Sequence, residues 1–338
     1  MALGPVMMSV GEVELDLEER EILSHPTVGG VILFSRNFED LGQLNALVAE
    51  IHDLREPRLL VAVDQEGGHV QRFLPGFTSL PAAARIGALY DSSPGQALEL
   101  ADDLGWLLAA ELRCQQIDFS FVPVLDVHDP HSKAIGQRAF HRLPATVAEL
   151  ARAMLRGLKA GGMVGVGKHF PGHGGVRADS HVETPTDERD LETVAQQDLS
   201  VFERMIHYGL AAIMTSHLLF PKVDHRLVSC SPVWLRNVLR GRLEFEGTVF
   251  SDDLSMAGDI VDRAAQALKA GTDMILVCND RAAASRVVDR LEWQAGPAAS
   301  LRLVRMRGSG AWNWAQLKAS PRYRRAKQRL HDFEGMSP

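Results

Sequence analysis

Residues 168–181 read KHFPGHGGVRADSH, with three histidines, a lysine, an arginine and an aspartate in fourteen positions. Pro171 and the glycines at 172, 174 and 175 rule out a helix interior. The run has too little apolar surface for a core strand, so it reads as a loop dense in groups that bind or move protons. Three chemistries suit such a loop. His169, His173 and His181 with an aspartate are a zinc ligand set by type, but there is no HExxH helix and the HxxxH spacing here is broken by proline and glycine. A Gly-rich basic loop suits phosphate, but the GKS or GKT ending of a phosphate loop is missing. The third is proton transfer: an Asp near a His orients the ring and stabilises the imidazolium, and Asp179 lies two residues before His181. Imidazole donates and accepts protons near neutral pH, and the glycines give the loop the backbone freedom of a mobile lid.

A second acidic position is Asp252 in FSDDLSM. A carboxylate at the end of a strand can be a metal ligand, a general base or a nucleophile. Asp253 beside it can cap the helix that follows. Asp252 is therefore assigned the chemistry and Asp253 the structural role.

These groups need elements to hold them. Eight short apolar runs occur at 4–10, 28–35, 59–64, 118–127, 163–170, 210–217, 247–253 and 272–279. Most are apolar throughout rather than alternating, as parallel strands covered on both faces are. Helical stretches lie between them: 41–54 and 146–161 carry apolar residues at three- and four-residue spacing, and 263–271 ends on Gly271, a C-cap. Eight strand–helix units and the absence of an early GxGxxG point to an α/β fold, a single-domain (β/α)8 TIM-type barrel, over a doubly wound open sheet. The barrel is expected over about 1–295, with closing helices and a tail over about 296–338, and a mobile loop after the fifth strand. Polar residues follow the strands at one rim: Asp64, Asp126, Lys168 and His169, His217, Asp252 and Asn279. Buried strand ends carry such groups when they are paired or face a cleft, so the pocket is expected at this rim. His217 is read as either a pocket residue or a buried hydrogen-bonded histidine, and Met256 as packing.

The net charge of −7 argues against a nucleic-acid binder. No apolar run approaches the roughly 20 residues that span a bilayer. The N-terminus has neither a basic n-region nor a small-residue cleavage site, so no signal peptide is expected. Cys114, Cys230 and Cys278 are scattered, odd in number and without CxxC spacing, which fits a reducing compartment and no structural zinc.

KHFPGHG followed by DSH, and FSDDLSM on a later strand, resembles the family-3 glycoside hydrolases, most closely the bacterial β-N-acetylglucosaminidases of cell-wall recycling. VDQEGGHVQRF (63–73), FVPVLDV (121–127), IGQRAFH (135–141), MTSHLLFPKVD (214–224) and MILVCN (274–279) agree in order with that pattern. The resemblance covers about Gly4 to Asn279. It implies a retaining exo-glycosidase with Asp252 as nucleophile and His181, paired with Asp179, as acid/base. It implies sugar contacts from Asp64, Arg72, Arg138, Lys168 and His169, with an ion pair as the plainer role for Asp64 and Arg72. It further implies a muropeptide substrate bearing terminal GlcNAc, no cofactor, no metal, no nucleic-acid or membrane partner, a monomer, and a cytoplasmic location. The chain departs from the family pattern at His69, where Arg is usual, at Gln137, where an acid is usual, and at Gly175-Val176, where Asp-Thr is frequent. Those departures leave open a catalytically impaired sugar-binding homologue, and the loop histidines leave open a metal-dependent hydrolase on the same barrel.

Overall fold

The computed structural model describes residues 2–130, 132, 134–173, 175–176, 185–255, 259–310 and 312–336. Asp179, His181 and Met256 lie outside the described residues. The eight apolar runs form one parallel sheet: β1 (Val6–Ser9), β2 (Val28–Leu33), β3 (Leu60–Val63), β4 (Phe119–Ser120), β5 (Val166–Phe170), β6 (Ala212–Thr215), β7 (Thr248–Asp253) and β8 (Met274–Val277). Their spatial order is β4-β3-β2-β1-β8-β7-β6-β5. The chain just after β4 closes the ring against β5: Val166 N donates to Val122 O at 2.7 Å and Leu125 N to Lys168 O at 2.7 Å. The sheet is thus a barrel, as the count of strand–helix units predicted.

The 118–127 run keeps regular strand geometry only at Phe119–Ser120. Pro123 has no N–H to give to a ladder; its carbonyl accepts from Lys168 N at 3.2 Å, and with the bonds at Val122 and Leu125 this completes the closure.

Two apolar layers explain why the strands carry no polar alternation. Met7, Ile32, Leu60, Ala62, Phe119, Phe121, Val166, Ala212, Met214, Phe250, Met274 and Leu276 fill the barrel interior. Their chain neighbours on the opposite faces, such as Val31, Val61, Ile213, Val249 and Ile275, pack outward with the helices. Both faces are dry, so both are apolar. The alternation of side chains along a strand then puts Asp64, Lys168, Ser216, Asp252 and Cys278 on the interior side, one step above that apolar filling, at the mouth.

At the opposite end, Leu303 and Met306 join the interior cluster and form a floor. The segment carrying them is tied down by Gly308 N, which donates to Asp118 Oδ1 at 3.0 Å. Asp118 is fully buried and also accepts two bonds from Arg58, at 2.8 and 3.0 Å. Burial opposes its charge, yet His52 and Arg58 pull its carboxyl down to about 2.

The predicted helices are present as Leu41–Asp53, Pro144–Gly161 and Ile260–Ala270, the last ending on Gly271. Asp253 does not cap that last helix. Its cap is Asp259, which accepts from Val261 N at 2.9 Å. Asp253 Oδ1 instead accepts from Ser255 N (3.0 Å), Ser255 Oγ (2.7 Å) and Cys278 N (3.1 Å), pinning the loop after β7 to the end of β8. The helix starts too far along the chain for residue 253 to reach it.

Candidate active site

Asp64 is the first residue beyond β3, and the chain then turns through a hairpin of Gln65–Gly67 and Val70–Gln71. The buried side chain of Gln65 braces this turn. Its Oε1 accepts from Arg72 N at 3.0 Å and Phe73 N at 3.1 Å, and its Nε2 donates to Phe73 O at 3.0 Å. The hairpin thereby returns Arg72 toward Asp64, with Nη2 at 4.0 Å from Oδ2.

Lys168, on β5, is 2 % exposed and reaches two carboxylates: Asp64 Oδ1 at 2.7 Å and Glu66 Oε1 at 2.6 Å. Glu66 also accepts both arms of Arg138, from Nε at 2.8 Å and Nη2 at 2.7 Å. A forked guanidinium–carboxylate pair of this kind is geometrically specific. Burial works against the charge on Glu66, but Lys168 and Arg138 overcome it and hold the carboxyl far below the usual carboxylate range. Burial likewise opposes the charge on Arg138, and Glu66 holds it more firmly protonated than usual.

His169 continues the network. Its Nδ1 lies 2.7 Å from Asp126 Oδ2 and its Nε2 lies 3.5 Å from Arg138 Nη2. A guanidinium offers only N–H groups, so Nε2 is the acceptor and Nδ1 carries the proton toward Asp126. Asp126 is fully buried and also accepts from His173 N at 2.8 Å. Burial opposes its ionisation, and the His169 contacts still hold it below the ordinary range.

Asp252 stands apart from this array on β7. Its Oδ1 accepts from the N–H of Asp253 at 2.8 Å, and it forms no salt bridge among the described residues. The residue is half-buried, against fully buried Ser251 before it. A carboxylate at the rim of an apolar barrel, with no ion pair among the described residues, is placed as a nucleophile would need to be.

The structure therefore brings Asp64, Arg72, Arg138, Lys168 and His169 into one connected set, with Asp252 on the same mouth two strands beyond Lys168. Most of the Lys168 ammonium and the Arg138 fork is already engaged by carboxylates. Asp64 and Arg72 form only a loose pair, so both retain polar atoms for a ligand. His217 is 5 % exposed and its Nδ1 has no hydrogen-bond partner among the described residues, which departs from the hydrogen-bonded core histidine considered for it. Asn279 is structural: its Oδ1 accepts from Arg36 at 2.9 Å. Among the described residues no three His, Cys, Asp or Glu side chains come together as a metal site.

Glu66 was missed by sequence reasoning. Its only signal was an acid two residues after Asp64 in DQEGG, which becomes informative once the hairpin is known. His69 and Gln137 are exposed, so those departures touch the surface. Gly175 faces the guanidinium of Arg189, which is ion-paired to Asp187 and Asp198, each at 2.6 Å.

Comparison with known proteins gives the same frame. The model of the glycosyl hydrolase family 3 N-terminal domain matches residues 6–304. A β-hexosaminidase of Thioalkalivibrio sulfidiphilus is 53% identical over 335 residues, covering 97% of this chain and 95% of the relative. One of Nitrosospira multiformis is 50% identical over 313 residues, covering 91% and 90%. Among solved structures, NagZ from Neisseria gonorrhoeae in complex with N-trifluoroacetyl-D-glucosamine superposes with a TM-score of 0.94 at 40% identity, covering 98% of each chain. With relatives this similar along nearly its whole length, the chain belongs to glycosyl hydrolase family 3, as a glycoside hydrolase of the β-hexosaminidase type.

Proposed function

We propose that the protein is a retaining exo-β-N-acetylglucosaminidase that removes non-reducing terminal GlcNAc from muropeptide fragments, GlcNAc-1,6-anhydro-MurNAc peptides, in peptidoglycan recycling. The observation that carries this reading is the Asp252 carboxylate at the barrel mouth, without an ion pair among the described residues, on the same rim as a set of carboxylates and cations suited to ring hydroxyls. The sugar bound by a relative, N-trifluoroacetyl-D-glucosamine in the NagZ structure, supports the choice of an N-acylated hexosamine.

In this mechanism Asp252 attacks C1 of the sugar while His181, oriented by Asp179, protonates the departing glycosidic oxygen. The covalent glycosyl–enzyme is then opened by water, with His181 taking the water proton. An imidazole in that role adds no second negative charge beside the nucleophile. Asp64 accepts hydrogen bonds from ring hydroxyls with Arg72 next to it, while Arg138, Lys168 and His169 define the floor of the sugar site through Glu66 and Asp126. No cofactor is required, because carboxylate and imidazole supply nucleophile and proton. The enzyme acts in the cytoplasm as a monomer, and residues 1–338 work as one catalytic unit.

The test is turnover of a chromogenic aryl β-GlcNAc glycoside. Asp252→Ala is expected to lose at least about 10³-fold in kcat, and His181→Ala to lose most activity on substrates with poor leaving groups. Undiminished turnover in Asp252→Ala would end the nucleophile assignment.

A further inference from the structure

Asp126 has no exposed surface, so it can act on a substrate only through the groups it holds. Its place follows from the closure of the barrel. The chain after β4 runs beside β5, with Lys168 N donating to Pro123 O at 3.2 Å and Leu125 N to Lys168 O at 2.7 Å. Asp126, the next residue, therefore arrives level with His169. His169 is itself the extra residue of β5. Lys168 pairs with Met214 of β6 and Phe170 with Thr215, so the register shifts between them. Val166 faces the barrel interior, whereas Phe170 packs outward against Phe202 and Trp234. Strict alternation would put 166 and 170 on one face. The strand bulges at 169 instead, and a bulge re-aims a side chain. The consecutive residues Lys168 and His169 can then both serve the mouth.

A bulged residue leaves the ladder, and its buried N–H needs another acceptor. Asp126 supplies it: His169 N lies 3.3 Å from each carboxylate oxygen. Oδ2 also accepts from the His169 ring, Nδ1 at 2.7 Å, and Oδ1 accepts from His173 N at 2.8 Å. The ring bond holds the proton on Nδ1 and leaves Nε2 bare on the side of Arg138. The bond from His173 holds the backbone where the chain leaves the strand, and from there the sequence runs on to ADSH. Gly172 N donates to His169 O at 2.8 Å and closes the turn between the two held points.

We propose that Asp126 is a positioning residue with two tasks: it keeps His169 in the tautomer whose bare Nε2 accepts a sugar hydroxyl, and it anchors at His173 the root of the segment that leads to the acid/base. The inference rests on the proposed function, in which His169 contacts the sugar and His181 moves the proton. The first task acts on sugar binding and the second on the chemical step.

The experiment uses Asp126→Asn in the full chain, with kinetics on an aryl β-GlcNAc glycoside and ¹⁵N NMR of histidine-labelled protein. A carboxamide has one acceptor oxygen and an NH2 that only donates. With the oxygen kept by His173 N, the NH2 faces Nδ1, and the His169 proton must move to Nε2, where it meets the N–H groups of Arg138. In wild type the His169 signals, identified by their loss in His169→Gln, are expected to show a protonated Nδ1 and a bare Nε2, and in D126N the reverse. KM is expected to rise about 10–100-fold in D126N, the range for losing a hydrogen bond to a charged group. Anchoring the loop root less firmly is expected to lower kcat about 10-fold or more. In the double variant D126N/H169Q, KM is expected to stay within about twofold of H169Q, because both changes remove one contact, while kcat falls below that of H169Q.

A protonated Nε2 in wild type, an unchanged KM in folded D126N, or KM effects that multiply in the double variant would each overturn the proposal. A lowered Tm with KM and tautomer as in wild type would leave Asp126 a purely structural residue and overturn it equally. Should D126N fail to fold, Asp126→Glu, which keeps the charge and moves it by one methylene, is taken through the same kinetics; KM is expected to rise, and an unchanged KM overturns the proposal. H169Q alone separates the levels. If it leaves KM unchanged, the sugar contact assigned to His169 falls; if it raises KM while D126N does not, only the positioning role of Asp126 falls.

Discussion

Glu66 and Asp252 are both acids at the same barrel mouth, and their neighbours give them opposite tasks. Glu66 is enclosed by Lys168 and both arms of Arg138, so it is a fixed anion that organises cations. Asp252 accepts from the next backbone N–H and has no ion pair among the described residues, which suits the nucleophile role proposed for it. Glu66→Gln leaves two buried cations half-partnered, and about 3–5 kcal/mol of stability is expected to go with it. The pH dependence follows from the direction of the shift. A carboxyl held low in the folded state contributes stability that is full above its unfolded pKa, about 4.3, and is lost as pH falls below that. Wild-type Tm is therefore expected to drop steeply from about pH 4 downward, and the drop in Glu66→Gln to be shallower; parallel curves would contradict it. Asp118, pulled down to about 2, contributes to the same acid loss in both proteins and cancels in the comparison. Asp64, Arg72, Arg138, Lys168 and His169 were legible because each stands in a motif or at a strand end. Glu66 was not, since nothing in a single sequence says that DQEGG folds back into a hairpin.

At the scale of elements, strands buried on both faces announced themselves by unbroken apolar runs, whereas two- and three-residue strands such as Gln65–Gly67 leave no periodic trace. The interruption at Pro123 is local, a missing N–H, whereas the transfer of helix capping from Asp253 to Asp259 is not. Where a strand stops and a helix starts is decided by tertiary contacts, here the bonds from Ser255 and Cys278 to Asp253. Gly172 shows how the loop after β5 is held at its root. Its φ is +136°, and a Cβ there would run into the side chain of Asp198. Gly172→Ala combines backbone strain with a clash against a buried ion pair, and is expected to cost about 1–3 kcal/mol and to lower kcat more than it raises KM. Thermal melts with kinetics on an aryl β-GlcNAc glycoside check this, and a variant with wild-type Tm would show the loop root to be adjustable.

For the whole molecule, the count of eight strand–helix units favoured a barrel over an open sheet. What decided it was closure through Val122, Leu125, Val166 and Lys168, which no strand-by-strand reading can supply. The mouth and the floor are separate tasks. Polar groups gather where the strands end, and Leu303 and Met306 seal the other side. Met306→Ala removes a fully buried part of that seal. It is expected to cost about 2–5 kcal/mol and to leave KM for the aryl glycoside within about twofold, because the change lies at the end of the barrel away from the mouth. A large KM change at modest destabilisation would mean that floor and mouth are coupled. The Asp179–His181 unit, to which the proposed proton transfers are assigned through the family resemblance of the DSH motif, lies outside the described residues.

The most direct test of the account is covalent trapping. A slow fluorinated GlcNAc glycoside with an activated leaving group is incubated with the enzyme, and the labelled peptide is mapped by mass spectrometry. The account predicts one sugar per chain, attached through an ester to Asp252 within FSDDLSM. A label on any other residue, or continued turnover of the probe with no covalent species at any time, would contradict it.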